Sequence, residues 1–155
     1  LLALAAHPES TIVRTSWLFS EYGSNFVKTM LRLAKERDSL SIVHDQTGCP
    51  TYAGDLAHAI IELLQQPTSP RGIFHYCGNK SATWYEFTKA IFQTAHQLDD
   101  SFRIPELNAI TTDQYPLPAP RPAYSIMDCS RLETEFGIKP SDWQKALREI
   151  LRKID

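Results

Sequence analysis

Five side chains in this sequence sit where a turn or a proline fixes the backbone around them, and each has chemistry to offer there. Trp17 lies near the end of the apolar run TIVRTSWLF (residues 11–19), and Asn25 opens the helical pattern NFVKTMLRLAKERD. An indole at a strand end can wall a ligand pocket. An Asn beside the free N–H groups of a helix start can bond a phosphate or a hydroxyl. The plainer alternative makes Trp17 core and Asn25 an ordinary N-cap. Gln46 and Thr51 belong to HDQTGCPTYAGDLA (44–57), whose Gly48, Pro50 and Gly54 shape the loop. An amide, a hydroxyl and backbone amides suit a neutral hydrogen-bonding ligand such as a nucleobase or a sugar. Its alternative is a rigid connection with Thr51 as a structural cap. Arg121 is held between two prolines in APRPAYS. A stiffly mounted guanidinium suits bidentate recognition of a phosphate or carboxylate, unless a local acid such as Asp128 takes it.

A Tyr and a Lys four apart on a helix could form a proton donor, because an ammonium lowers the pKa of a nearby phenol. Two such spacings occur. Tyr76 and Lys80 enclose Gly78 and Asn79 in a strand-end turn, which prevents helical stacking. Tyr85 and Lys89 fall on a helix whose apolar side is Trp84, Phe87, Ile91 and Phe92, so Lys89 reads as a surface residue. His7, His44, His58, His75 and His96 show no metal-ligand spacing, and Glu133 and Glu135 read as a solvated helix face. There is no GxSxG, P-loop or GxGxxG motif. The sequence supplies no catalytic residue and no metal ligand.

The elements that must position these groups follow from periodicity. Residues 1–6 read as the end of a helix and 11–19 as one strand buried on both faces. A helix follows over 25–38, a short strand at 40–44, and a helix from 54 to Pro67 with Asp55 in its first turn. A strand at 72–78 leads to a helix capped by Ser81 or Thr83, with Glu86 placed for a capping box. Residues 107–115 suggest one more strand, and the proline-rich 116–125 segment an extended, stiff loop. Two helices end the chain, one closed by Gly137 and one capped by Ser141 with Trp143, Ala146, Leu147, Ile150 and Leu151 on one face. Alternating strands and helices predict an α/β fold with parallel pairing, where ligands sit beyond the carboxyl ends of strands.

Composition narrows the class. The chain has 155 residues, 43% hydrophobic and 22% charged, which suits one soluble globular unit. A net charge of −2 gives no field favouring nucleic acid or an acidic membrane, and no apolar stretch approaches a membrane span. Cys49, Cys77 and Cys129 are odd in number and match neither a zinc pattern nor a disulfide framework, which fits a reducing cytoplasmic setting. The opening LLALAAHPES lacks an initiating Met and a signal-peptide charge pattern, so a fragment is expected.

In succession, RTSW, NFVKTMLRL, DQTGCPT and RPAYS, together with TWYEFTKAIF and the Trp143 helix, resemble the C-terminal half of the dTDP-4-dehydrorhamnose reductase family. That family is a branch of the extended short-chain dehydrogenases. The resemblance covers nearly the whole chain and implies the C-terminal part of a Rossmann-type doubly wound fold. Late parallel strands would carry a small substrate-binding α/β subdomain, with residues 1–155 as one unit and the dinucleotide-binding half outside it. It implies NADPH as cofactor, a dTDP-sugar as substrate, and admits Mg²⁺ and a homodimer. By analogy Trp17 borders the deoxysugar, Asn25, Gln46, Thr51 and Arg121 face the diphosphate and thymidine, and Thr15 and Ser16 pass the nicotinamide mainly through backbone. The family's Gly-rich loop and catalytic Tyr-x-x-x-Lys lie upstream of RTSW and are not in this sequence. The chain alone is therefore expected to be inactive. Two rivals are a non-enzymatic relative similar to the regulatory subunit of methionine adenosyltransferase, and another nucleotide-sugar epimerase or dehydratase.

Overall fold

The run expected to form one strand is broken in two. In the computed structural model, which describes residues 2–68 and 70–154, helix α1 (Leu2–Ala6) leads into β1 (Thr11–Arg14), and β2 (Leu18–Phe19) follows after a gap. Leu1, part of the expected helix tail, lies outside the described residues. Trp17 interrupts the run with φ 47°, a left-handed conformation that no strand continues through. The two pieces then take different parallel partners. β1 pairs with β6 (Gly72–His75), Thr11 opposite Gly72, and β2 pairs with β5 (Thr51–Tyr52). The expected burial on both faces also fails here, because Thr11 and Arg14 are exposed and Leu18 is 44% exposed.

Helix α2 (Phe26–Glu36) starts at Asn25, whose side-chain oxygen accepts from the Lys28 N–H at 3.3 Å. It buries Val27 and Met30 and leaves its charged face in water. Strand β3 (Ser39–Val43) pairs in parallel with β8 (Glu106–Ile110). The 44–57 loop is more regular than expected, because it holds β4 (Thr47–Gly48) and β5. β4 pairs antiparallel with β7 (Ala82–Thr83). Three parallel pairs and one antiparallel pair among the described residues make the fold α/β.

Helix α3 (Ala53–Leu64) has Asp55 in its first turn. Helix α4 (Trp84–Leu98) is started by Thr83 in a complete capping box with Glu86. Its Phe87 is wholly buried and meets Phe19 and Phe26 at 5.6 Å and Trp143 edge-on at 5.3 Å. Those rings come from β2, α2 and α6 (Trp143–Leu151), so one side chain joins three elements into the main core. A second cluster joins α3, β6 and α5 (Ser130–Phe136) through Ala59, Leu63, Phe74 and Leu132. Gly137 closes α5 at φ 70°, as glycine is suited to do.

Ser141 does not cap α6. Asp142 does, accepting from the Lys145 N–H at 3.3 Å. Ser141 is instead drawn inward, forming a bridge to Gly78 and donating its hydroxyl to Asp55 at 2.6 Å. A Cβ on Gly78 would strike the Pro50 carbonyl oxygen and come within 2.8 Å of Trp143 Cδ1, so only glycine lets these segments meet.

Tyr52 and Glu21 tie β5 to the turn after β2. The Tyr52 hydroxyl donates to Glu21 at 3.1 Å, and Lys153 approaches the same carboxylate at 3.2 Å. Burial, followed by the hydrogen bond to Glu21 and then the Glu21 charge, pushes Tyr52 up to about 12. A folded-state pKa raised above the ordinary value of about 10 adds stability that is complete below that pH. This contribution should fall away between pH 10 and about 12, and Tyr52→Phe should show a flatter profile in that window. Urea melts of both proteins across alkaline pH check it; parallel profiles would exclude Tyr52 as the source.

Candidate functional site

The carboxyl ends of β1 and β2 meet the 44–57 loop around Trp17. Its indole stacks on Trp84 with centroids 3.5 Å apart and planes 8° from parallel. Its carbonyl accepts the Thr51 N–H at 3.1 Å. Gly48 lies against the ring, where a Cβ would come within 2.6 Å of Trp17 Nε1 and 2.7 Å of Ser125 Oγ. Trp17 is only partly buried. It therefore has a fixed orientation and keeps part of its surface exposed.

The proline-rich segment runs to the same place. Thr47 donates its N–H to the Ala123 carbonyl at 2.8 Å and accepts the Ser125 N–H at 2.9 Å. This bridge pins residues 123–125 along β4, beside the glycine that touches Trp17. Arg121 is exposed and stands two residues upstream, at most about 7 Å along the chain from Ala123. Among the described residues it makes no ion pair. Asp128, the acid that could have claimed it, accepts the Ser130 N–H at 2.9 Å instead. Trp17 and the mount of Arg121 thus lie on one side of the chain.

Gln46 and Thr51 are placed differently from the expectation that they face a ligand. Gln46 is 6% exposed; its oxygen accepts from Trp84 Nε1 at 3.2 Å and its nitrogen donates to Thr112 Oγ1 at 3.0 Å. Thr51 is fully buried and donates to the Cys49 carbonyl at 3.2 Å. Both polar groups are consumed inside the protein, so they shape the site and present nothing on it. Asn25 is similarly engaged as an N-cap, its amide donating to the Ser20 carbonyl at 2.7 Å. Asp45 anchors the far end of this network. Hydrogen bonds from Thr112, backbone first, hold its carboxyl below the ordinary range.

Thr15 and Ser16 occupy the gap between β1 and β2. Ser16 Oγ donates to the Cys49 carbonyl at 3.1 Å, whereas Thr15 Oγ1 is buried without a partner. Among the described residues neither makes a backbone hydrogen bond, which leaves that backbone open at a strand's carboxyl end.

Neither Tyr–Lys spacing forms a pair. Tyr76 is 3% exposed and burial pushes its phenol well above the usual range, while Lys80 donates outward to Gln144 at 2.8 Å. Tyr85 and Lys89 share no hydrogen bond among the described residues. No group of three or more His, Cys, Asp or Glu among those residues is arranged to hold a metal ion. No described helix is long and apolar enough to cross a membrane. Cavities of about 420 Å³ lie elsewhere, one beside α3 and α6 around Asp55 and Tyr76, the other at the ends of α2 and α4.

With this geometry in place, residues 2–155 match the family model described as the RmlD substrate binding domain. The chain belongs to that family. Within it, a protein of Aggregatibacter actinomycetemcomitans named dTDP-4-dehydrorhamnose reductase is 49% identical over 153 residues, covering 96% of this chain and 52% of its own length. A solved dTDP-4-dehydrorhamnose reductase from Clostridium acetobutylicum superposes with a TM-score of 0.85 at 36% identity, over 96% of this chain and 50% of that one. Another from Bacillus anthracis strain Ames, in complex with NADP, gives 0.81 at 40% identity, over 92% and 48%. The chain spans about half the length of the curated relatives it matches. For the RmlD substrate-binding fold, Trp84, Gly48 and Ser125 are the neighbours of Trp17 that sequence reasoning missed. Gly48 was visible as a turn residue, but its closeness to an indole was not.

Gln46→Ala would leave the Trp84 indole N–H without its partner and take one donor from the Thr112 hydroxyl, which still donates to Asp45 at 2.7 Å. It should cost about 1–3 kcal/mol of stability, the usual penalty for stranding polar groups. Denaturant melts measure this, and an unchanged midpoint would return Gln46 to the list of ligand-facing side chains.

Proposed function

We propose that this chain is the substrate-gripping half of an NADPH-dependent dTDP-4-dehydro-L-rhamnose reductase. The observation that carries the reading is the meeting of Trp17 and the Arg121-bearing loop across β4. An aromatic wall and a guanidinium carried on the loop beside it are the two groups a nucleotide-diphospho-sugar needs. The relatives' names and the NADP complex of one of them supply the reaction and the cofactor.

In this reading bound NADPH supplies a hydride to the C4 ketone. The proton donor would come from the part of the relatives that this chain does not span, so the chain alone turns nothing over. Trp17 packs against the deoxysugar and sets which face of the ring is turned toward the cofactor. Arg121 neutralises the diphosphate and fixes its distance from the sugar. The open backbone of Thr15 and Ser16 meets the nicotinamide end. Gln46, Thr51 and Asn25 act through the loop and helix they hold. Positioning of this kind lowers the barrier by prepaying orientation, so loosening the grip should reduce turnover as well as affinity. Mg²⁺ and a homodimer belong to the same proposal, with no residue here assigned to either.

Arg121→Ala in the full-length protein should weaken dTDP-sugar binding by about 1.5–3 kcal/mol, the range for a charged hydrogen bond. Titration calorimetry reads it directly, and an unaltered affinity would take Arg121 out of the site. Tyr85→Phe should leave turnover nearly intact. A loss of roughly a hundredfold, the scale of a missing general acid, would make Tyr85 the proton donor and overturn the placement of catalysis outside this chain.

A further inference from the structure

Cys49, Cys77 and Cys129 are dispersed in sequence, yet the fold gathers them into one cluster with Ile126 and Met127 packed around it. They are 3%, 1% and 8% exposed. Cys77 Sγ lies 3.5 Å from Cys129 Sγ, and the Cys77 N–H donates to Cys129 Sγ at 3.2 Å. Two thiols in contact need to close by only about 1.5 Å to reach disulfide bonding distance.

The surroundings discriminate among the three. Cys49 sits between Gly48 and Pro50, and its carbonyl is pinned by the Ser16 and Thr51 hydroxyls. Cys129 precedes α5 at the end of a long irregular segment and is the most exposed of the set. Hydrogen bonds from Cys129 and then Cys49 draw the Cys77 thiol down, and donating to Cys77 pushes those two thiols up. Cys77 is thus the sulfur whose ionised form its neighbours favour.

We propose that Cys77 and Cys129 form a peroxide-reactive dithiol site that closes to an intramolecular disulfide while Cys49 stays reduced. The Cys77 thiolate attacks one oxygen of hydrogen peroxide, the O–O bond breaks, and the departing hydroxide takes a proton to leave as water. The Cys129 sulfur then attacks the Cys77 sulfenic acid, the S–O bond breaks, and the second hydroxide leaves as water with the Cys129 proton. The two thiols lose two electrons and two hydrogens, and the peroxide is reduced to two waters. Once Cys77 is oxidised, the adjacent Cys129 thiol gives its sulfur an outlet. The bond would join the end of β6 to the segment that runs back through Ser125 to Gly48.

The full-length protein, treated with hydrogen peroxide and then alkylated under denaturing conditions, tests this by intact mass and peptide mapping. The expected result is loss of two of the three alkylatable thiols, the mass of two hydrogens missing, and a Cys77–Cys129 linked peptide that dithiothreitol releases. Cys49→Ser should form the same link. Cys129→Ser should instead leave a sulfenic acid at Cys77 that dimedone traps. Full alkylation of Cys77 and Cys129 after peroxide, or a linked peptide containing Cys49, would overturn the proposal, and either result is read on the unmutated protein.

Discussion

A tryptophan held at φ 47° governs the architecture around the site. That conformation costs a bulky residue about 1–3 kcal/mol, so it persists only where its surroundings overdetermine it. Here the carbonyl is taken by Thr51, the ring by Trp84, and the space beside it by a residue with no side chain. Trp84 is itself fixed, since it opens a helix with a full capping box and donates its N–H to Gln46. Break this arrangement and residues 11–19 would relax toward one continuous strand. β1 and β2 could then no longer serve β6 and β5 separately.

The division of labour among polar residues follows from that constraint. Side chains near the site that could bond a ligand are mostly occupied in holding the frame. Gln46 bridges Trp84 to Thr112, Asn25 starts α2, and Thr51 donates to the Cys49 carbonyl. Arg121 is the contrast: exposed, stiffly mounted, and without an ion pair among the described residues. A buried polar group must be satisfied within the protein, so burial itself separates the residues that build a site from those that face outward.

The sequence was informative wherever a signal was local. Helix periodicity located α2, α4 and α6, the Thr83–Glu86 spacing marked a real capping box, and Gly137 closed its helix. Errors came where the deciding contact was distant. Ser141 and Asp142 are equally good caps on paper, and only the bridge to Gly78 determines which is free to act. Nothing in TIVRTSWLF announces a left-handed Trp, because the cause lies in Gly48, Thr51 and Trp84. The cysteines looked unrelated for the same reason. The arrangement around Trp17 became readable only through the succession of family motifs, since no single one of its residues identifies it.

The three parallel pairings join segments that are remote along the chain: Thr11 with Gly72, Leu18 with Thr51, and Ser39 with Glu106. Closing such loops consumes chain entropy before any ladder bond repays it, which places this topology among slower folders. On the ribosome, β3 would emerge and wait for β8 until residues 106–110 had been made. During that interval its apolar Leu40 and Ile42 lack the β8 strand that pairs with them, so this is a stage at which chaperone protection matters.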